Sequence, residues 1–388
     1  MTKKAFALDL YMLLAVLYAL KSILYTRGTL FSQSISGLFV VLTVVLAIAA
    51  FFTTKMPKVL KSYLIFVCVL AFYGVVLYSS HEIITVQYTG AKTGGSQYIE
   101  AILYSNLPIF SVYYLAKKNY YSLSHLKVWV FILFLVSIVS YYHQQSLVLE
   151  NRIGGQFEDE ITNNEAYLFV ALLPMLCLFE KQRLIQYIGI AVCFVFLLSS
   201  MKRGALLTGI VEIFALLFYN LRNANRRKKT YLFILYAILI AGGYFLFQKM
   251  LDTSDYFAFR YQLTMEGYNS GRDVITSQIL NYFQTQMSFG DMLFGRGALA
   301  TVKMFVNYAH NDWLELMVCQ GILGVLLYLF FYIYLVKASI KAKKSMTKIS
   351  LILIFIALFL PTLFSMSYNT LSFSLACYFG FIAARIND

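Results

Sequence analysis

Three short stretches of this chain carry side chains able to do chemistry. One is NYAHNDWLELMVCQGILG, which sets His310, Asn311 and Asp312 where a polar segment, 251–312, runs into an apolar helix. A histidine at such a boundary has a near-neutral pKa and suits general base work. The same residues also read as the start of a helix. Asp312 would cap it, and Glu315, three residues on, would complete a capping-box-like pair. Gly321 and Gly324 are spaced to lie close to one face. On this stretch alone both readings stand.

Arg203 lies in LSSMKRGALL, beside Lys202, in a turn too short to leave a membrane surface. Two readings are open there. The pair snorkels to lipid phosphates, or it receives a substrate phosphate, for which an arginine fork suits two oxygens at once. Arg272 sits in NSGRDVI, within 251–312, together with Arg260, Arg296 and Lys303. Taken singly, a loop arginine is usually a solvated charge. Glu212 follows Arg203 by nine residues, which is ~13 Å along a helix and near mid-bilayer. It reads as a structural polar contact, as does Asp9 in the first apolar run. There is no Walker A, GxSxG, HExxH or outer Asp-x-Asp pattern. The turn at 26–28 has no carboxylate, which disfavours metal-dependent lipid-linked glycosyltransferases that place an acidic pair there. Cys68, Cys177, Cys193, Cys319 and Cys377 all fall inside apolar runs, where small buried roles outweigh disulfides or zinc.

The elements that must position these residues are membrane helices. Of 388 residues, 60% are hydrophobic and 13% charged, against about a quarter charged in a soluble domain. The apolar residues come in runs of about twenty, the length of a bilayer crossing. The expected fold is an all-α integral membrane protein of about twelve spans. The fourth is expected at 98–116, the ninth at 231–247 and the tenth at 313–336. No small-residue cleavage site follows MTKK, so the first run is expected to stay as a helix. With Lys3 and Lys4 inside, most of the 32 basic residues fall in short inner loops, including 222–229 and 337–348. An even span count then returns the C-terminus to the cytoplasm. The +14 net charge is thereby explained by orientation, and nucleic acid is not expected as a partner. Three outer segments follow: 81–97; 143–163, with Glu158, Asp159 and Glu160; and 251–312, before the tenth span. The aromatic content of 251–312 argues for order, with amphipathic helices on the membrane surface. The whole chain, 1–388, reads as one membrane domain.

In order, SSMKRGALL, NSGRDVI and AHNDWLELMVCQGILGVL resemble the O-antigen ligase and polysaccharide repeat-unit polymerase family, of the Wzy type. The likeness covers residues 198–329; before that it is one of hydropathy only. Met201 and Lys202 stand where that family more often has Ser or Thr. The resemblance implies a multi-pass protein of the cytoplasmic membrane, embedded in the lipid bilayer, acting on its outer face without metal or cofactor. The donor would be an oligosaccharide on polyprenyl diphosphate, and the acceptor a sugar hydroxyl on a growing glycan. Arg203 and Arg272 would hold the diphosphate and His310 would be catalytic. Lys202, Asn311, Asp312 and Glu315 would be supporting positions. Products would be capsule, exopolysaccharide or O-antigen, and partner proteins would include a flippase and a chain-length regulator. A polymerase and a ligase acting on lipid A-core share these motifs. A lipid-linked glycan flippase or transporter is the alternative of another class. Transporters often carry inverted repeats with broken helices, and Pro57, Pro108, Pro174 and Pro361 form no paired pattern.

Overall fold

The computed structural model describes residues 3–24, 30–85, 92–120, 123–153, 163–253, 255–267, 271–305, 307–368 and 371–386. The chain is all-α: helix makes up 82% of it. Among the described residues the strands are one antiparallel hairpin, Ile83–Thr85 with Lys92–Gly94. Six helices are long and apolar enough to cross a membrane. They are Leu30–Thr53, Lys58–Ser79, Leu123–Leu147, Arg203–Arg222, Gly321–Lys341 and Ser345–Leu363. Shorter apolar helices run over Phe6–Ala19, Ala166–Phe179, Arg183–Ser199 and Phe373–Ala383.

Exposure separates a lipid-facing side from a packed one. The Leu30–Thr53 helix leaves Leu38, Val41, Val45 and Ile48 exposed, a stripe at helical spacing, and buries Ile35, Phe39 and Thr43 on another face. In water such apolar stripes on helix after helix would drive association; in a bilayer they are the solvated side. Inside, Phe66 stacks on Tyr328 with ring centroids 4.8 Å apart, and Tyr63 lies 4.7 Å from Phe331.

Two expected spans are broken. The fourth, 98–116, is two helices, Gly95–Ser105 and Pro108–Lys117. Pro108 opens the second, where its missing N–H costs nothing. The tenth, 313–336, is divided into Asp312–Cys319 and Gly321–Lys341. Gly321 turns the chain at φ +66°, and a Cβ there would lie 2.5 Å from the Leu293 carbonyl carbon. Hydropathy is blind to such a break, so the run read as continuous. The ninth expected span lies within one helix, Arg226–Thr253.

Connecting segments bond to one another in two sets. At one end Tyr113 donates to the Lys55 carbonyl, Lys117 to that of Ala384, and Lys127 to Gln182. Arg183 meets Asn220, and Ser345 donates to Tyr219, at the same end. At the other end the 83–94 hairpin region meets the polar segment: Lys303 pairs with Glu82 and Tyr73 donates to the Phe294 carbonyl.

The segment 251–312 is itself helical, with helices Asp255–Met265, Arg272–Thr285, Phe289–Phe294 and Ala300–Phe305. It has a small core of its own. Ile279, Ala300 and Ala309 pack on Val318 and Cys319 of the Asp312–Cys319 helix. The segment is thus docked on the helix that His310 precedes.

Candidate functional site

Each chemistry-bearing stretch opens a helix, and each opening follows a left-handed residue. Met201 (φ +54°) precedes Lys202 and the helix beginning at Arg203. Gly271 (φ +72°) precedes the helix beginning at Arg272. His310 itself is left-handed (φ +51°) and precedes Asn311. For a residue with a Cβ this conformation costs about 1–2 kcal/mol, so Met201 and His310 are held there by their surroundings. Such strain concentrates at functional sites.

The three openings meet on one turn. Ser345–Phe359 ends in a 3₁₀ turn, Leu360–Leu363, which leads into Phe364–Ser367. Arg272 Nη1 donates to the Phe364 carbonyl at 2.8 Å. Asn311 Nδ2 donates to the preceding carbonyl, Leu363, at 3.1 Å. With neighbouring Cα atoms about 3.8 Å apart, the two donating groups lie on the order of 10 Å or less from one another. Gly204, the residue after Arg203, packs under the Phe364 ring. A Cβ on it would fall 2.5 Å from ring carbons and 2.7 Å from the Tyr167 hydroxyl. Arg272 and Asp312 both act electrostatically on Tyr167. Residues about a hundred positions apart in sequence therefore share one small region.

Asn311, rather than Asp312, is the helix cap. Its Oδ1 accepts from the backbone N–H groups of Trp313 and Leu314 at 3.0 and 3.2 Å. Asp312 is the first helical residue and is fully buried. Its carboxylate accepts from Ser367 N–H (2.8 Å), the Ser367 hydroxyl (2.6 Å) and the Tyr328 hydroxyl (3.0 Å). It thus ties the His310 helix to the far end of the shared turn. Burial pushes its carboxyl up, to about 7, and the bonds from Ser367 and Tyr328 work against that rise. Trp313 Nε1 adds a bond to Thr362 at 2.9 Å.

Glu315 is also fully buried and does not face the cap as a capping-box partner would. It accepts from the Thr301 hydroxyl and from Ala309 N–H, the latter at 2.9 Å. It therefore anchors the polar segment and fixes the backbone next to His310.

The cations sort by partner. Arg296 pairs with Asp291 at 3.2 Å and Lys303 with Glu82, so their charges are neutralised. Arg272 meets a carbonyl, which leaves its positive charge in place. A guanidinium has five N–H donors, and among the described residues one bond holds this one. Lys202 and Arg203 are half-buried at the opening of their helix. That opening is the positive end of a helix dipole. So is the opening of the Arg272 helix.

Glu212 is not part of this region. It is fully buried on the Arg203–Arg222 helix, and its carboxyl has no hydrogen-bond partner among the described residues. Glu158, Asp159, Glu160 and the 26–28 turn lie outside the described residues, as does the Arg260 side chain. Among the described residues no three His, Cys, Asp or Glu side chains gather as a metal site would require.

Sequence reasoning missed Tyr167, Ser367 and the 360–367 turn. The turn acts mostly through backbone carbonyls, which leave no residue signature. No protein-family model matches this chain, and no curated protein sequence is similar to it.

Proposed function

We propose that this protein polymerises oligosaccharide repeat units. It would transfer a glycan from polyprenyl diphosphate to a sugar hydroxyl on the outer face of the cytoplasmic membrane. The observation that carries this reading is the meeting of Arg272, the Arg203 helix opening and the His310–Asp312 helix opening on the 360–367 turn. The Arg272 guanidinium and two positive helix ends, one of them opened by Arg203, suit a diphosphate.

In the proposed reaction the acceptor hydroxyl oxygen attacks the anomeric carbon of the donor. The bond from that carbon to the phosphate oxygen breaks, and its electron pair goes to the polyprenyl diphosphate. Arg203 and Arg272 stabilise the negative charge that develops there. A ring nitrogen of His310 takes the hydroxyl proton and later gives it to water. Lys202 adds charge at the Arg203 opening, Asn311 and Asp312 hold the geometry, and Glu315 braces the backbone before His310. The activated donor supplies the energy, so no nucleotide is required.

The orientation in this proposal has about twelve crossings, both termini in the cytoplasm and 251–312 outside. The two sets of end contacts support that sidedness. The assay is purified protein with a polyprenyl-diphosphate-linked repeat unit. Release of polyprenyl diphosphate with longer glycans supports polymerisation. Transfer only when lipid A-core is added identifies a ligase. Donor movement across a vesicle membrane without bond cleavage identifies a flippase.

A further inference from the structure

Two cavities adjoin one another. One, of about 170 Å³, is lined by His143, Glu165 and Ser137 among others. The other, of about 380 Å³, is lined by Tyr18, Tyr104, Gln97 and Glu100. Ala19 and Phe373 line both, so the two share a wall. Glu165 faces the first cavity, and Tyr167, two residues on and turned to another side of the same helix, lies against Gly204 at the site.

The second cavity holds an aromatic platform. Tyr18 and Tyr104 stack with centroids 4.0 Å apart, and Tyr18 lies 5.3 Å from Phe39. Lys21 Nζ sits 4.1 Å over the Tyr18 ring and 3.7 Å from Glu100, which fixes the edge of the platform. Glu165 and His143 both line the first cavity and interact electrostatically. The Ser372 hydroxyl, on the same wall, is buried without a hydrogen-bond partner among the described residues.

We infer that these joined cavities form an oligosaccharide-binding cleft for neutral sugar residues. The apolar C–H face of a pyranose lies on a tyrosine ring, and its hydroxyls need the acceptors and donors that Glu100, Gln97, Glu165 and His143 provide. A mostly apolar cavity with a few converging polar groups is the usual form of a small-ligand site. Lys21 offsets Glu100, so Glu165 is the carboxylate that disfavours an acidic sugar, through like-charge repulsion. The cleft would hold several sugar units next to the reacting hydroxyl. This use of the cleft rests on the polymerase reading, whereas the binding itself does not.

The test uses the full chain in nanodiscs and a lipid-free neutral oligosaccharide, released by mild acid from the source organism's own surface polysaccharide. Calorimetric titration should show saturable binding. Tyr104→Ala and Glu165→Gln should each weaken it about tenfold, the scale of one lost polar or stacking contact, while Arg296→Lys should leave it unchanged. In turnover assays the same two variants should raise KM for the acceptor chain and spare kcat. If KM for the polyprenyl-linked donor rises instead, the cleft holds the donor's glycan. Binding that is absent, or indifferent to both substitutions, overturns the inference even if wild-type turnover is observed. Binding as described without turnover would leave the cleft standing and refute the polymerase.

Discussion

Replacing Asp312 with alanine tests the joint on which the site depends. The side chain accepts three hydrogen bonds, two from Ser367 and one from Tyr328, and no water reaches it. Bonds to a charged group contribute about 1.5–3 kcal/mol each, and shared ones do not add. A loss of about 3–5 kcal/mol is expected, because three buried donors lose their acceptor. That would lower the melting temperature in detergent by on the order of 10 °C. Asp312→Asn should cost about 1 kcal/mol or less, since its amide can still accept from Ser367 N–H and can donate to both hydroxyls. The two variants also separate by pH. Burial raises the folded carboxyl to about 7, so its contribution is fully present below the unfolded value of about 3.9 and is lost as pH rises through 7. The asparagine variant lacks that slope and should gain on the wild type between pH 4 and 8. Melting of Asp312→Ala within about 2 °C of wild type would refute the claim that this carboxylate ties the helix to the turn.

Other consequences follow from the same geometry. Gly204→Ala forces a Cβ to within 2.5 Å of the Phe364 ring; overpacking should cost about 1–3 kcal/mol and reduce turnover, and unchanged melting and turnover would refute the close approach. Turnover should survive EDTA, because arginines carry the diphosphate charge in the proposed reaction. Loss on chelation with rescue by a divalent cation would overturn that assignment. In a cysteine-free background, Glu158→Cys should be labelled from outside and Arg226→Cys spared; the reverse pattern would invert the orientation and remove the site from the outer face.

The helices were legible because hydropathy and charge act along the chain, as Leu38, Val41, Val45 and Ile48 do on one face. The aromatic residues of 251–312 announced order, and that segment is helical. The helix opening at 311–312 was legible too, but its cap was not. Asparagine and aspartate cap almost equally well, so only the bonds to Ser367 and Tyr328 show that Asp312 is committed elsewhere. Gly321 read as a packing face at helical spacing, whereas it is a backbone break set by contact with Leu293. The hub of the site, Leu363 and Phe364, offers carbonyls that every residue has. Its role could not be read before the fold brought Arg272 and Asn311 to it.

The proposed reaction is read out by turnover of a polyprenyl-diphosphate-linked repeat unit, at matched membrane abundance, by wild type, His310→Ala, Arg203→Lys and Arg272→Lys. A lost general base should cost ~10²–10⁴-fold in His310→Ala. Both lysine variants should also be impaired, because an ammonium cannot reproduce the bidentate fork. Near-normal polymerisation by His310→Ala would rule out the histidine base and leave His310 as a strained residue before a helix cap.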